Sequence, residues 1–307
     1  MTGSTSGAGP GPDLSVVIVT WNSARVVSGC IGSIRSTAGG PEPELIVVDN
    51  HSADDTLARV RAAAPGARIV ANPDNRGLAA ANNQGLAAAG GRHILICNPD
   101  VVFGPGAIAE MRAVMDRHPR AGWVVPRLVL EDGSPQTSAG DLPRLRDGLL
   151  GRQASRRRSE GRPGGFWWDG WAHDEERPIG RGHEAAYLVR REAVREVGPQ
   201  DERYVLDWEG FDWTWRFRAA GWETWLAPGA EVCHLGGDSV RQVPLRWIAS
   251  HHRGMYLYFA DRMHPAWRPL LAAAFAARAA AKAAGAVAGL PLYQWAHAAR
   301  RGSPRST

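Results

Sequence analysis

Residues 14–20 read LSVVIVT, residues 44–50 read ELIVVDN and residues 93–97 read HILIC. Each is a short aliphatic, β-branched run without polar alternation, the pattern of a strand buried on both faces. Each runs into polar residues: Thr20-Trp21-Asn22, Asp49-Asn50-His51-Ser52 and Asn98-Pro99-Asp100. Between them the sequence predicts helices over 23–36, from a cap at Asp54 or Asp55 to about Ala64, and over 78–89, with a further strand over 68–71. Residues 105–117 form another expected helix, with proline at its start. This alternation predicts an α/β fold with a mainly parallel sheet flanked by helices.

Outward from that core the pattern lapses. Residues 131–180 are rich in Arg, Gly, Pro and Trp and show no clear period, so they are expected to be a long variable insertion. Regular structure returns over 183–189, in a helix over 211–220 and in strands near 223–226 and 231–235. From Trp247 the chain reads as helical, broken at Pro265, Pro269 and Pro291. The expected organisation is a disordered lead-in over 1–12, an α/β domain over 13–240 and a helical, basic C-terminal region over 241–307.

Composition bounds the function. The 307 residues suffice for a sizeable core, and 44% hydrophobic with 22% charged residues excludes wholesale disorder. Cys30, Cys97 and Cys233 are far apart with no CxxC pair, which excludes a zinc ribbon or disulfide framework and suits a reducing, cytoplasmic compartment. Residues 1–12 show no basic n-region and no apolar h-region, so no signal peptide is expected, and no run suggests a transmembrane helix. The net charge is +5, with Lys282 the only lysine. Arginine abundance of this kind gives no argument for nucleic acid. Its position is informative: residues 262–307 carry seven basic residues and no acidic one. A near-neutral body with a basic appendage is expected, the appendage suited to an anionic membrane surface on the inner face of the plasma membrane.

In open α/β sheets, ligands bind beyond the carboxyl ends of the strands. The three polar strand ends would gather there. Asp49 is placed to accept hydrogen bonds from a ribose or base, and Asp100 to hold a divalent cation against a diphosphate. Asp and Asn at strand ends also simply start turns, but three in register favour a nucleotide site. A dehydrogenase would need a Gly-rich turn after the first strand; TWNSARVV contains no GxGxxG.

VVIVTWNS, IVVDNHSADDT, NRGLAAANNQG, HILICNPDVVF, the Leu188-Val189-Arg190-Arg191 stretch, and RFRAAGW followed by HLGGDS, in that order between about residues 14 and 240, resemble the inverting family 2 glycosyltransferases, most of all their rhamnosyltransferase-like branch. The resemblance implies a GT-A fold, a nucleoside diphosphate sugar donor (dTDP-rhamnose first, or a UDP-sugar), Mg²⁺ or Mn²⁺, and a glycan or polyprenyl-diphosphate-linked acceptor in cell-envelope polysaccharide synthesis. Carried over by residue, Thr20, Asn22, Asp49, Asn75, Arg76, Gly77 and Asn98 would bind the donor, and Asp100 and His234 would bind the metal. The family's Glu-Asp-x-Asp motif stands here as Glu209-Gly210-Phe211-Asp212, so glycine occupies the position of the expected base. Glu209, Asp212 and Asp207 are the candidates for that role, Gly210 leaving the backbone free to turn Glu209 into the site. Asp212 has an alternative partner in Arg216, one helical turn on. Thirteen of the residues are Trp. Trp208 and Trp213 are expected at the acceptor, the 167–171 cluster in an acceptor-side lid, and Trp215 and Trp225 in the core. A nucleotidyltransferase on a similar sheet and a non-catalytic sugar-binding protein are the alternatives; the first lacks its basic Gly-rich loop.

Overall fold

The computed structural model describes residues 12–38, 40–150, 165–168, 171–236 and 244–288. Most of the expected lead-in, the middle of the insertion and the chain beyond 288, with Pro291, lie outside them.

The three aliphatic runs stand together at the centre of one sheet. β1 (Leu14–Thr20) pairs in parallel with β2 (Glu44–Asp49) and with β4 (His93–Cys97), and β2 pairs in parallel with β3 (Arg68–Ala71). Parallel neighbours require crossovers, and α1 (Val27–Thr37), α2 (Thr56–Ala63) and α3 (Leu78–Ala88) lie in the connections. After β5 (Val101–Phe103), α4 (Ala107–Arg117) and β6 (Ala121–Val129) the sheet becomes mixed. With two later strands, β11 (Ala186–Arg190) and β12 (Glu223–His234), its order is β3-β2-β1-β4-β11-β6-β12-β5. β11 runs antiparallel to β4 and β6, whereas β12 is parallel to β6. β12 joins the two strands expected at 223–226 and 231–235 into one, with a register shift between Ala227 and Glu231.

Both faces of the sheet are covered, as the uninterrupted aliphatic runs require. Val16, Ile18 and Leu95 pack with Ile31, Ile34, Met111 and Val114 on one face. Val17, Ile46, Val48 and Ile96 pack with Leu86, Trp123, Trp213 and Phe217 on the other.

The described part of the insertion is more regular than expected. β7 (Pro135–Gln136) pairs with β6, β9 (Arg177–Ile179) pairs with β12, and β8 (Ala139–Gly140) pairs with β10 (Arg181–Gly182); α5 spans Leu145–Leu150. Strands of two or three residues are too short to show a period in sequence, so this stitching was not legible.

α6 (Arg191–Val197) and α7 (Glu209–Ala219) complete the sheet's cover, followed by α8 (Pro244–Ala260) and α9 (Arg268–Val287). Pro269 does not break α9 because it lies in the first turn, where no N–H partner is lost. α8 and α9 share a cluster of Trp208, Phe211, Met255, Tyr258, Phe259, Leu271 and Phe275. The C-terminal region thus packs on the turn that precedes α7, and the Ser250 hydroxyl donates to the Leu206 carbonyl at 2.9 Å. Contrary to the sequence expectation, residues 265–287 are by length and composition apolar enough to cross a membrane, alanine diluting the few charges. Leu271 and Phe275 are buried, but Trp267 and Leu270 are more than half exposed.

Candidate active site

Strand register gathers the expected residues. Thr20 pairs with Asp49, and Ile18 with Cys97, so the carboxyl ends of β2, β1 and β4 lie side by side. Asp49 accepts from the Thr20 hydroxyl at 2.8 Å, the Ser52 hydroxyl at 2.6 Å and the Ser52 N–H at 2.9 Å. Its carboxylate therefore also organises the loop that follows β2. Asn22, in the left-handed region with φ 48°, accepts the Ala53 N–H at 2.9 Å through its side chain and donates its own N–H to the Ser52 hydroxyl at 2.9 Å.

Asn50, just past β2, ties the neighbouring Asn75–Gly77 turn to the strand end. Its amide donates to Asn75 at 3.0 Å and to the Gly77 carbonyl at 3.1 Å, and its carbonyl accepts the Arg76 N–H at 3.0 Å. Asn75-Arg76-Gly77 is thereby held against β2, with the Arg76 side chain exposed. On its other side the turn meets the chain leading to α7: the Leu78 N–H donates to the Val205 carbonyl at 2.8 Å.

Asp100 and His234 meet at the opposite side. β5 and β12 are antiparallel with Val101 opposite His234, which brings the residue before β5 to the end of β12. Asp100 Oδ1 is 3.6 Å from His234 Nε2, and that buried oxygen has no hydrogen-bond partner. His234 Nδ1 lies 3.1 Å from Gln136 Oε1. An amide oxygen only accepts, so in the neutral ring Nδ1 carries the hydrogen and Nε2 presents its lone pair towards Asp100. An orphaned carboxylate oxygen beside an oriented imidazole fits a divalent cation. Among the described residues no third His, Cys, Asp or Glu completes a closed metal cage. Such a cation would take its remaining ligands from diphosphate and water, as metals that bridge phosphates do. Asn98 lies next to this pair, its N–H donating to the Ala185 carbonyl at 2.8 Å.

The acids before and within α7 have separate environments. Asp212 binds Arg216 Nε at 2.8 Å through one oxygen and Arg262 at 2.6 Å through the other. It is buried, and both of its oxygens are engaged by guanidinium groups, one from α7 and one just past the end of α8. Asp207 bonds His251 of α8 at 2.6 Å and the Trp208 N–H at 2.9 Å. Asp207 and Trp208 both have positive φ, 73° and 77°, and Gly210 does not. The backbone turn expected at Gly210 therefore occurs two residues earlier, and Gly210 is helical. Glu209 is 2% exposed and one of its oxygens, Oε2, has no partner. Burial, then the nearby Glu184 and Asp207 carboxyls, push its pKa well above the usual carboxylate range.

Glu184 was not singled out in the sequence, where it stands in no motif. It is half-buried, lies just before β11, and approaches the helical backbone at Gly210. Burial and Asp207 raise its pKa to about 8, against the opposing pull of Arg181 and the Gly210 N–H. Arg181 is itself buried, its guanidinium 3.5 Å from the centre of the Trp167 ring and 4.6 Å from that of Phe211.

The aromatic expectations need correction. Trp213 is buried in the sheet's core, edge-on to Trp123 and Phe217, with its indole N–H donating to the Gly198 carbonyl at 2.9 Å. Trp208 is stacked on Phe211 and enclosed by Tyr258 and Phe259. Neither offers a face to an acceptor. Trp215, expected in the core, is 40% exposed beneath the Arg262 guanidinium, while Trp225 is partly buried and stacks on His118. Trp168 and Trp171 pack edge to face; residues 169–170 of the expected lid lie outside the described residues.

A mixed sheet with a parallel half, acids (Asp49 and Asp100) at or beyond its strand ends, and a histidine closing from the far strand match a GT-A glycosyltransferase fold. The chain belongs to glycosyl transferase family 2, whose model matches residues 15–169. It is 31% identical over 275 residues, 83% of its length and 86% of the relative's, to the N-acetylglucosaminyl-diphospho-decaprenol L-rhamnosyltransferase of Mycobacterium tuberculosis. Two solved structures share the fold. The mannosyltransferase PcManGT from Pyrobaculum calidifontis, in complex with GDP-Man and Mn²⁺, matches 92% of this chain and 78% of its own at TM-score 0.53 and 20% identity. GalNAc-T7 with UDP, GalNAc and Mn²⁺ matches 73% of this chain at TM-score 0.55 and 17% identity, and the chain spans only 43% of it. The chain is a glycosyltransferase.

Proposed function

We propose that this enzyme transfers a sugar, rhamnose from dTDP-rhamnose in the first instance, onto a polyprenyl-diphosphate-linked N-acetylglucosamine acceptor with inversion at the anomeric carbon. The observation that carries the reading is the meeting of Asp100 and His234 beside Asn98 at the strand ends, in a chain alike to a rhamnosyltransferase over most of its length. Thr20, Asn22 and Asp49 would receive the nucleoside, with Asn75-Arg76-Gly77 closing over it. Asp100 and His234 would hold Mg²⁺ or Mn²⁺, which when bound neutralises charge on the diphosphate as it leaves. The carboxyl cluster of Asp207, Glu209 and Glu184 lies where an acceptor hydroxyl could lose its proton.

A polyprenyl acceptor places the reaction at a membrane surface. α9 offers that surface an exposed start at Trp267 and Leu270; of the cations along it, Arg268 donates to the Ala260 carbonyl and Arg278 to the Leu149 carbonyl, and Lys282 is half-buried. Cationic stems can lie along apolar surface while their heads reach anionic headgroups. The enzyme would then act peripherally from the cytoplasmic face.

The test is a transfer assay with dTDP-rhamnose, UDP-sugars and GDP-mannose against a GlcNAc-diphosphoprenol acceptor, with and without Mg²⁺ or Mn²⁺. Metal-dependent rhamnosyl transfer supports the reading. Binding of none of these donors in the presence of metal would refute it.

A further inference from the structure

Gly210 stands where the family motif carries an acid. In the fold that space is occupied. A Cβ built on Gly210 would lie 2.0 Å from the Glu184 carboxyl carbon and 2.1 and 2.2 Å from its two oxygens. No other residue can stand at 210 without displacing this carboxylate. We infer that Glu184 is the catalytic base, supplying from the start of β11 the carboxylate that α7 lacks at position 210. This inference rests on the glycosyl transfer proposed above.

Position supports it first. β11 is antiparallel to β4, with Ala186 opposite Cys97, so the residues before Ala186 run past the carboxyl end of β4. The Ala185 carbonyl accepts the Asn98 N–H at 2.8 Å. Glu184 therefore stands between the Asn98–Asp100 strand end and the first turn of α7.

Environment supports it next. Asp207, Glu209 and Glu184 are three carboxyls that repel one another, with the buried Arg181 guanidinium acting on Glu184, and like charges at close range cannot all be ionised. Glu209 is enclosed and has an oxygen with no partner, so it is the member that retains a proton. Glu184 is half-buried; the Gly210 N–H in the first turn of α7 and Arg181 favour its anion, but burial and Asp207 outweigh them and raise its pKa to about 8, close to the working range of a general base. Helix N-terminal N–H groups stabilise a carboxylate in this position. Of the other titratable neighbours, Tyr187 carries no charge, burial raising its pKa above the ordinary phenol range, while His251 and Lys282 face Asp207 rather than Glu184.

The step is balanced without a further reactant. The acceptor hydroxyl oxygen forms a bond to the anomeric carbon, the bond from that carbon to the diphosphate oxygen breaks, and its electron pair leaves with the nucleoside diphosphate. The hydroxyl proton passes to the Glu184 carboxylate. Glu209, beneath it, keeps its proton throughout.

The experiment compares the full chain with Glu184→Gln, Glu209→Gln, Gly210→Ala and the exchange Glu184→Gly with Gly210→Asp, measuring kcat with the donor and acceptor above and donor Kd separately. Glu184→Gln should lower kcat by about 10²–10⁴-fold, the contribution of a positioned base, with donor Kd within about threefold of the parent. Gly210→Ala should lower kcat by displacing Glu184. The exchange returns a carboxylate to α7 and should recover at least tenfold over Glu184→Gln, which a merely structural Glu184 would not do. A parent that transfers sugar while Glu184→Gln keeps its kcat within about threefold overturns this inference and leaves the proposed function standing. So does a Glu209→Gln variant that loses turnover while Glu184→Gln does not. A parent that binds no donor refutes the proposed function, and the inference with it.

Discussion

Gly77 is where the turn proposed to receive the donor leans on the chain leading to α7 at Val205, and Gly77→Ala should disturb both. Its backbone has φ 88° and ψ 169°, a combination that is essentially restricted to glycine and costs another residue about 1–3 kcal/mol. An added Cβ would lie 2.6 Å from the Val205 carbonyl oxygen, a backbone atom that cannot rotate away. Separating the two strips of chain would also weaken the Leu78 N–H bond to that same oxygen, worth about 0.5–1.5 kcal/mol. Together these give a loss of about 2–4 kcal/mol. At about 2–4 °C per kcal/mol for a domain of this size class, the melting temperature should fall by roughly 5–15 °C. The turn that should open is Asn75-Arg76-Gly77 with residues 204–206, so donor affinity should drop as well, measured by titration at a temperature where the variant is folded. A Gly77→Ala protein melting within about 2 °C of the parent and binding donor equally would refute the close approach and the coupling drawn from it.

Removing the Asp100 carboxylate with Asp100→Ala should abolish metal-dependent donor binding by calorimetry while the far-UV spectrum and melting temperature stay those of the parent; unchanged metal-dependent binding would dismiss Asp100 as a ligand. Asp212→Asn leaves Arg216 and Arg262 short of a buried anion and should cost about 2–4 kcal/mol of stability in denaturant unfolding, with kcat changed less than tenfold; the opposite pattern would return Asp212 to candidacy as the base. Stability should fall in mild acid. Burial lowers His93 and His252 to about 4, below the value of about 6.5 for an unfolded chain, so the unfolded state binds more protons between those limits. Their contribution is complete above about pH 6.5 and is lost as pH falls towards 4, at most about 3 kcal/mol for each. Parent and His93→Gln proteins compared by urea unfolding at pH 7.5 and 5 should show a smaller pH dependence in the variant.

The parallel half of the sheet was open to reading because a strand buried on both faces must be aliphatic throughout, and LSVVIVT, ELIVVDN and HILIC admit little else. The same runs place Thr20, Asp49 and Asn98–Asp100 at one edge, since parallel strands end together. What could not be read depends on partners distant in the chain. Trp208 and Trp213 were expected to meet an acceptor because they flank the acidic motif, yet their rings are claimed by α8 and by the sheet's core. The paired strands of the insertion are too short to leave a period. Asn50 looks like any polar residue after a strand until Asn75, Arg76 and Gly77 fold back onto it.

Gly210 is the sharpest case. Along the chain a glycine in an acidic motif reads as a lost function, and Glu184 reads as an ordinary charge before a strand. Each is half of one arrangement, because a side chain at 210 and a glutamate at 184 would compete for the same volume. A carboxylate held there from β11 has its approach set by the sheet, whose register is fixed by hydrogen bonds to β4 and β6. A carboxylate carried on α7 would depend instead on the turn at Asp207 and Trp208, two residues with positive φ that His251 of α8 braces, with Ser250 holding the preceding Leu206. The glycine therefore moves control of an acid from a strained turn to the sheet without emptying the site of a carboxylate.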